Sequence, residues 1–363
     1  MATFTAIVTR LLRHAFTGKK HNEKQGVTIR PAFCVLEDKN MMKFNLAVID
    51  TALNIDAIPE SIRNKIVIKD YFGRDTKATH SAMVINILLK YINSDLIEKI
   101  YLYNIFTKEH QGSGLAAFNA LEDILKNNDV DIIIMSVTLA NKERYEQTKD
   151  ICKRLALSGV TIIAADSNRP SEGLCYPFSF DCVYGISQGA FTEKPYFCVN
   201  DMGTKHISGD AEAEFINCGN IGPCLFGGTS KAVPKFASAI INAFADENDN
   251  SCDKIEEWIK KSALSEEDNI IRQIRENALS CEFSQEILDE LYGYISECPT
   301  DISCFGEISP TFELCELGSC ELYKFITFML NKFRISATPE DMRYTDFATI
   351  GSFCAYIGEK IHK

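Results

Sequence analysis

Between residues 44 and 165, short β-branched and aliphatic runs alternate with segments of helical period, and this alternation restricts the chain more than any other feature. Phe44-Asn-Leu-Ala-Val-Ile49, Lys99-Ile-Tyr-Leu-Tyr-Asn-Ile105, Asp131-Ile-Ile-Ile-Met-Ser136 and Val160-Thr-Ile-Ile-Ala-Ala165 read as strands. Helical spacing separates them over Ser81 to Tyr91, Leu115 to Lys126 and Glu146 to Leu157. Strands joined through helices pair side by side by crossing over, which predicts an α/β fold with a doubly wound, mainly parallel sheet. Reacting groups in such sheets gather at the carboxyl ends of strands, where Asp50, Ser136 and Asn168 fall.

Four short strings carry chemistry. Ala47-Val-Ile-Asp50-Thr51 ends an apolar strand with a carboxylate, which is costly to bury unless it is paired, and an imidazole is a suitable partner. Ala78-Thr-His80-Ser-Ala-Met-Val84 brings an imidazole to the start of a helix whose Val84, Ile87, Leu88 and Tyr91 share one face. Ile162-Ile-Ala-Ala-Asp-Ser-Asn168 ends an apolar run with a side-chain amide. Gly227-Gly-Thr-Ser230-Lys-Ala-Val-Pro234 sets a hydroxyl at a helix start, behind two glycines that permit close approach of a substrate, with Pro234 expected in the first turn. A serine hydroxyl needs a base to take its proton and a third group to orient that base, and these strings supply all three. Taken singly, each has a plainer reading as a helix cap or turn residue.

Order and spacing together resemble the subtilisin-like serine proteases. The acid, imidazole and hydroxyl follow one another in that family's order, and the intervals are 30 residues from Asp50 to His80, 88 to Asn168 and 62 to Ser230. The resemblance implies Asp50, His80 and Ser230 as the catalytic set, with Asn168 and the Ser230 N–H binding the oxyanion. It also implies Ser136, Val137 and Thr138 as a strand edge along which a peptide substrate aligns. Proteolysis of this kind needs no cofactor; no metal-ligating residues are assigned, and calcium dependence stays open. Ala52 after the acid, Ser81-Ala82-Met83 after the imidazole, and Asp166 and Ser167 before the amide depart from the family's usual residues. The activity implied is that of a serine endopeptidase cutting a precursor peptide or protein by acyl-enzyme chemistry, in the maturation of a peptide natural product. The alternatives are an inactive, peptide-binding scaffold of the same fold and a carrier holding substrates as thioesters.

With 363 residues the chain is long enough for more than one domain, and its formal charge of −12 is unsuited to nucleic acid as a partner. No apolar run reaches a membrane span and the first residues do not read as a signal peptide, so the expected location is the cytoplasm. In that setting the 14 cysteines are expected as thiols, and none forms a Cys-x-x-Cys pair. The expected organisation is an N-terminal extension over 1–43, the catalytic domain over 44–248, a helical linker over 249–281 and a second domain over 282–363.

That last part holds 14 acidic against 6 basic residues and shows helical patterns at Ser284 to Ser296, Glu321 to Phe333 and Ala348 to Ile361. It resembles an acyl or peptidyl carrier domain, a small all-α bundle. The resemblance implies Ser319, in Leu317-Gly-Ser-Cys320, as a 4'-phosphopantetheine attachment site, with a phosphopantetheinyl transferase and maturation enzymes as partners.

Overall fold

The computed structural model describes residues 41–70, 80–106, 112–127, 129–139, 144–167, 175–200, 205–247, 250–270, 285, 289–290, 293–294, 314–317 and 319–361. Among them eight strands form one sheet: β1 (Phe44–Asp50), β2 (Ile66–Asp70), β3 (Ile97–Asn104), β4 (Ile132–Met135), β5 (Thr161–Ala165), β6 (Tyr184–Gly189), β7 (Phe197–Val199) and β8 (His206–Asp210). Their order is β2-β3-β1-β4-β5-β6-β8-β7, every pair being parallel except β7 with β8. This is the doubly wound, mainly parallel sheet that the alternation predicts. Strands β9 (Glu214–Asn217) and β10 (Pro223–Phe226) form a separate antiparallel hairpin.

Seven helices of more than two turns are described: α1 (His80–Tyr91), α2 (Gly114–Asn127), α3 (Tyr145–Leu157), α4 (Thr229–Phe244), α5 (Cys252–Ser262), α6 (Ser319–Lys332) and α7 (Ile350–Ile361). They cover both faces of the sheet. Phe44, Leu46 and Val48 of β1 point into a core with α1, α4 and α5, while Ala47 and Ile49 point into a second core with α2 and α3. Strands buried on both sides have no polar face to alternate with, which is why their sequences read as unbroken apolar runs.

This wrapping makes one place special. The chain leaves β1 toward the α1 face and leaves β4, the neighbouring strand, toward the α3 face. The strand order therefore reverses between β1 and β4, opening a crevice at their carboxyl ends. Asp50 is the last residue of β1 and Ser136 directly follows β4.

A third core joins Leu322, Phe325, Ile326 and Met329 of α6 to Phe353 and Ile357 of α7, and Phe215 of β9 inserts into it. Phe215 stacks on Phe347 at 5.5 Å and meets Tyr323 edge-on at 5.3 Å. The C-terminal helices thus share their core with the hairpin. Helix α5, in the segment read as a linker, buries Ile255 and Ile259 in the α1 face, with Trp258 against Phe197 and Phe244. No helix among the described residues is long and apolar enough to cross a membrane.

Candidate active site

Asp50 is fully buried, so its carboxylate depends on the partners the fold gives it. Oδ1 accepts the Thr51 N–H at 2.6 Å and lies 2.7 Å from His80 Nδ1. A carboxylate only accepts, so the Nδ1 proton is donated to it and Nε2 is left as the basic nitrogen. Oδ2 is buried with no hydrogen-bond partner among the described residues, which increases the demand for a cation beside it. Burial alone would push the His80 pKa down, but the charge of Asp50 and the hydrogen bond to it outweigh burial, and the ring stands above its ordinary value of 6.5. Phe226 closes one side of the imidazole, edge-on at 5.6 Å.

Two hydroxyls lock the start of α1 to the turn after β1. Ser81 Oγ donates to the Ala52 carbonyl at 2.8 Å, and the Ser81 N–H donates to Thr51 Oγ1 at 3.2 Å. Ser81 and Ala52 are thereby joined in one contact. Further along α1, Asn86 Nδ2 donates to the Ala57 carbonyl at 2.9 Å, adding a second tie between the helix and the same loop.

Ser230 is the second residue of α4, where helical N–H groups are unpaired and the helix dipole favours negative charge. Gly228 before the helix has φ 74°, a left-handed conformation that strains other residues. Thr229 Oγ1 donates to the Asp166 carbonyl beyond β5 at 2.9 Å, and Ser230 Oγ donates to the Ser136 carbonyl beyond β4 at 3.1 Å. Val48 pairs with Ile134, so continuing that register by two residues sets Asp50 level with Ser136. The start of α4 thus rests on the carboxyl ends of β4 and β5, beside the Asp50 strand. Because α4 begins at Thr229, Pro234 lies in its second turn and not in the first, a correction to the expectation from sequence. With no N–H of its own, Pro234 leaves the Ser230 carbonyl without its helical donor.

Val137 is buried, and Thr138 Oγ1 donates to the Ala165 carbonyl at 3.3 Å, so the segment after β4 is tied to β5. Asn168 lies outside the described residues. Two residues before it, burial raises the Asp166 carboxyl above its ordinary range, opposed by the Ser167 N–H at 2.7 Å. Ser319 opens α6 and is half-buried, while its neighbour Cys320 directs its thiol to the Pro223 carbonyl at 3.8 Å.

A buried ionic cluster directly behind Ser230 went unread in the sequence. Lys231 and Lys235 of α4 are almost wholly buried, as are Asp210 and Glu214. Lys231 Nζ lies 3.0 Å from both Asp210 Oδ2 and Glu214 Oε1, and Lys235 Nζ also reaches Asp210. Tyr91 Oη donates to Glu214 at 2.8 Å, Lys90 Nζ pairs with the same carboxylate, and Lys235 lies over the Tyr196 ring at 4.0 Å. Burial alone would raise the Glu214 carboxyl, but Lys231, Lys235 and Lys90 together pull it down to about 2. The available signal was two lysines four apart on a helix of small and apolar residues.

A depressed carboxyl contributes stability that is complete above its unfolded value of 4.5 and is lost as pH falls through about 2. Glu214→Gln is therefore expected to destabilise the protein at neutral pH by about 3 kcal/mol, because each tenfold change in proton affinity corresponds to about 1.4 kcal/mol. Urea unfolding at a series of pH values checks this, since the gap to wild type should narrow steadily below pH 4.5.

No known family model and no curated protein matches the chain. Among solved structures it is similar to one described as a lanthipeptide protease, at 14% identity and TM-score 0.47 over 61% of this chain and 80% of that one. It is also similar to a cold-adapted subtilisin-like serine proteinase, at 13% identity and TM-score 0.48 over 61% and 82%. A third is described as a psychrophilic protease, at 18% identity and TM-score 0.47 over 60% and 82%.

Proposed function

We propose that the chain is a serine endopeptidase. The observation that carries this reading is the 2.7 Å contact between Asp50 Oδ1 and His80 Nδ1 at the reversal point of the sheet. Ser230 enters on the helix that rests on the next strand. In this mechanism Ser230 Oγ attacks the scissile carbonyl carbon and its proton passes to His80 Nε2. The tetrahedral oxyanion is met by the Ser230 N–H at the helix start and by the Asn168 amide. His80 then returns the proton to the leaving amine, and a water molecule releases the acyl group by the reverse sequence. Asp50 stays ionised throughout and holds the ring in the productive tautomer. The substrate is an extended precursor peptide lying along Ser136 to Thr138, cut in the cytoplasm during maturation of a peptide product.

Labelling with a fluorophosphonate tests the reading, because the reagent traps an activated serine. Wild type should label and Ser230→Ala should not; absence of Ser230-dependent labelling removes the peptidase reading. One observation favours the scaffold alternative: the Ser230 hydroxyl donates to the Ser136 carbonyl, and must turn away from it before attack. Lack of labelling together with retained binding of an extended peptide would establish that alternative.

A carrier role for the C-terminal helices is a separate proposal, supported by the position of Ser319 as the first, half-buried residue of α6. Incubation with coenzyme A and a phosphopantetheinyl transferase should then add one phosphopantetheinyl group to wild type and none to Ser319→Ala. An unchanged intact mass removes the proposal.

A further inference from the structure

We propose that the C-terminal helical bundle positions the Ser230 turn through Glu212; this rests on Ser230 being the nucleophile. Glu212 lies in the three-residue segment Ala211 to Ala213 between β8 and β9. Its carboxylate is bound from the bundle side alone among the contacts described. Oε2 accepts from Arg343 at 2.8 Å, and Oε1 accepts from the Thr345 N–H at 3.2 Å and from Thr345 Oγ1 at 3.3 Å. The two bonds from residue 345 and the one from Arg343 meet the two oxygens separately, so the carboxylate is fixed in rotation as well as in place.

The backbone of the same segment holds the nucleophile turn from both sides. The Ala211 carbonyl accepts the Gly228 N–H at 2.8 Å, two residues before Ser230. Ala213 packs so closely under Gly227 that a Cβ there would stand 2.8 Å from the alanine methyl. The Glu212 carbonyl accepts Lys231 Nζ, immediately after Ser230. Residues 227, 228 and 231 are therefore all referred to one short segment, and that segment is referred to Arg343 and Thr345. A nucleophile must lie within a few tenths of an ångström of its attack position, and a displacement of about 1 Å costs on the order of 100-fold in rate. Glu212 and Arg343 are positioning residues in this arrangement; neither touches the reacting atoms.

The test compares wild type, Arg343→Ala, Arg343→Lys and Glu212→Gln by the rate of fluorophosphonate labelling and by kcat and KM on a peptide substrate. Arg343→Ala should lower the labelling rate and kcat by roughly 10- to 100-fold, with KM within about twofold, because the peptide cleft is untouched. Arg343→Lys, which keeps one donor, should recover part of the loss. The inflection of the pH profile should stay at its wild-type position, since His80 and Asp50 are not involved. Should Arg343→Ala fail to fold, Glu212→Gln carries the test, because its one amide oxygen cannot accept from both Arg343 and Thr345 and its nitrogen accepts from neither. Wild-type labelling and kcat in a folded Arg343→Ala or Glu212→Gln variant overturn the inference. Failure of wild type itself to label overturns instead the reading of Ser230 on which it rests.

Discussion

Ser230→Ala is expected to lower kcat by about a million-fold, and removal of His80 in addition is expected to lower it hardly further. The expectation follows from the proposed mechanism, in which hydroxyl, imidazole and carboxylate act as one unit. Once the hydroxyl is gone the imidazole has no proton to take, and a residue with nothing to act on contributes nothing measurable. In that mechanism the activity left over would come from a water molecule attacking a carbonyl polarised by the helix start, a residual of about 10³ to 10⁴ over the uncatalysed rate. Single-turnover assays on Ser230→Ala, His80→Ala and the double variant measure the coupling. Additive losses in the double variant would mean that the two side chains do not share a step.

Asp50→Asn is expected to cost about four orders of magnitude in kcat and to reverse the direction in which the His80 pKa is displaced. Burial lowers the ring's affinity for a proton, and the Asp50 charge and hydrogen bond raise it by more. Removing the charge leaves burial in command, so the inflection of kcat/KM against pH should move from above 6.5 to below it. In the proposed mechanism the base works in its neutral form, and wild-type activity should therefore rise with pH through an inflection above that value. Stability runs the other way. A ring whose folded value is raised contributes fully below 6.5, and this contribution fades as pH rises through the folded value. The protein is then most active where the Asp50–His80 pair stabilises it least. Chemical denaturation at pH values on both sides of 6.5 reads this directly.

Much of the sheet was legible because β1, β4, β5 and the second half of β3 are packed on both faces, and such segments leave apolar runs in the sequence. Strands β2, β6, β7 and β8 and the hairpin were not foreseen. Tyr184-Gly-Ile-Ser-Gln-Gly189 and His206-Ile-Ser-Gly-Asp210 mix glycine and polar residues, and their strand character comes from neighbours already in the sheet. The Asp50 and His80 pair was foreseeable because the order and spacing of acid, imidazole and hydroxyl resemble the subtilisin-like proteases; the buried strand-end carboxylate by itself called only for some partner. The Lys231 cluster was not, since Lys90 and Glu214 lie 124 residues apart and charge pairing over that distance leaves no local pattern. The start of α4 falls where expected, but the place of Pro234 in it does not. Gly228 and the Thr229 bond to Asp166 set the first turn, and Pro234 therefore falls one turn deeper than its own preference suggests.

Glu212 leaves the ribosome 131 residues ahead of Arg343, the side chain that holds it. At typical elongation rates that separation lasts roughly ten seconds. On the proposed positioning role, the nascent turn around Ser230 lacks its clamp for that interval, and full reactivity of the turn waits for the C-terminal helices to emerge.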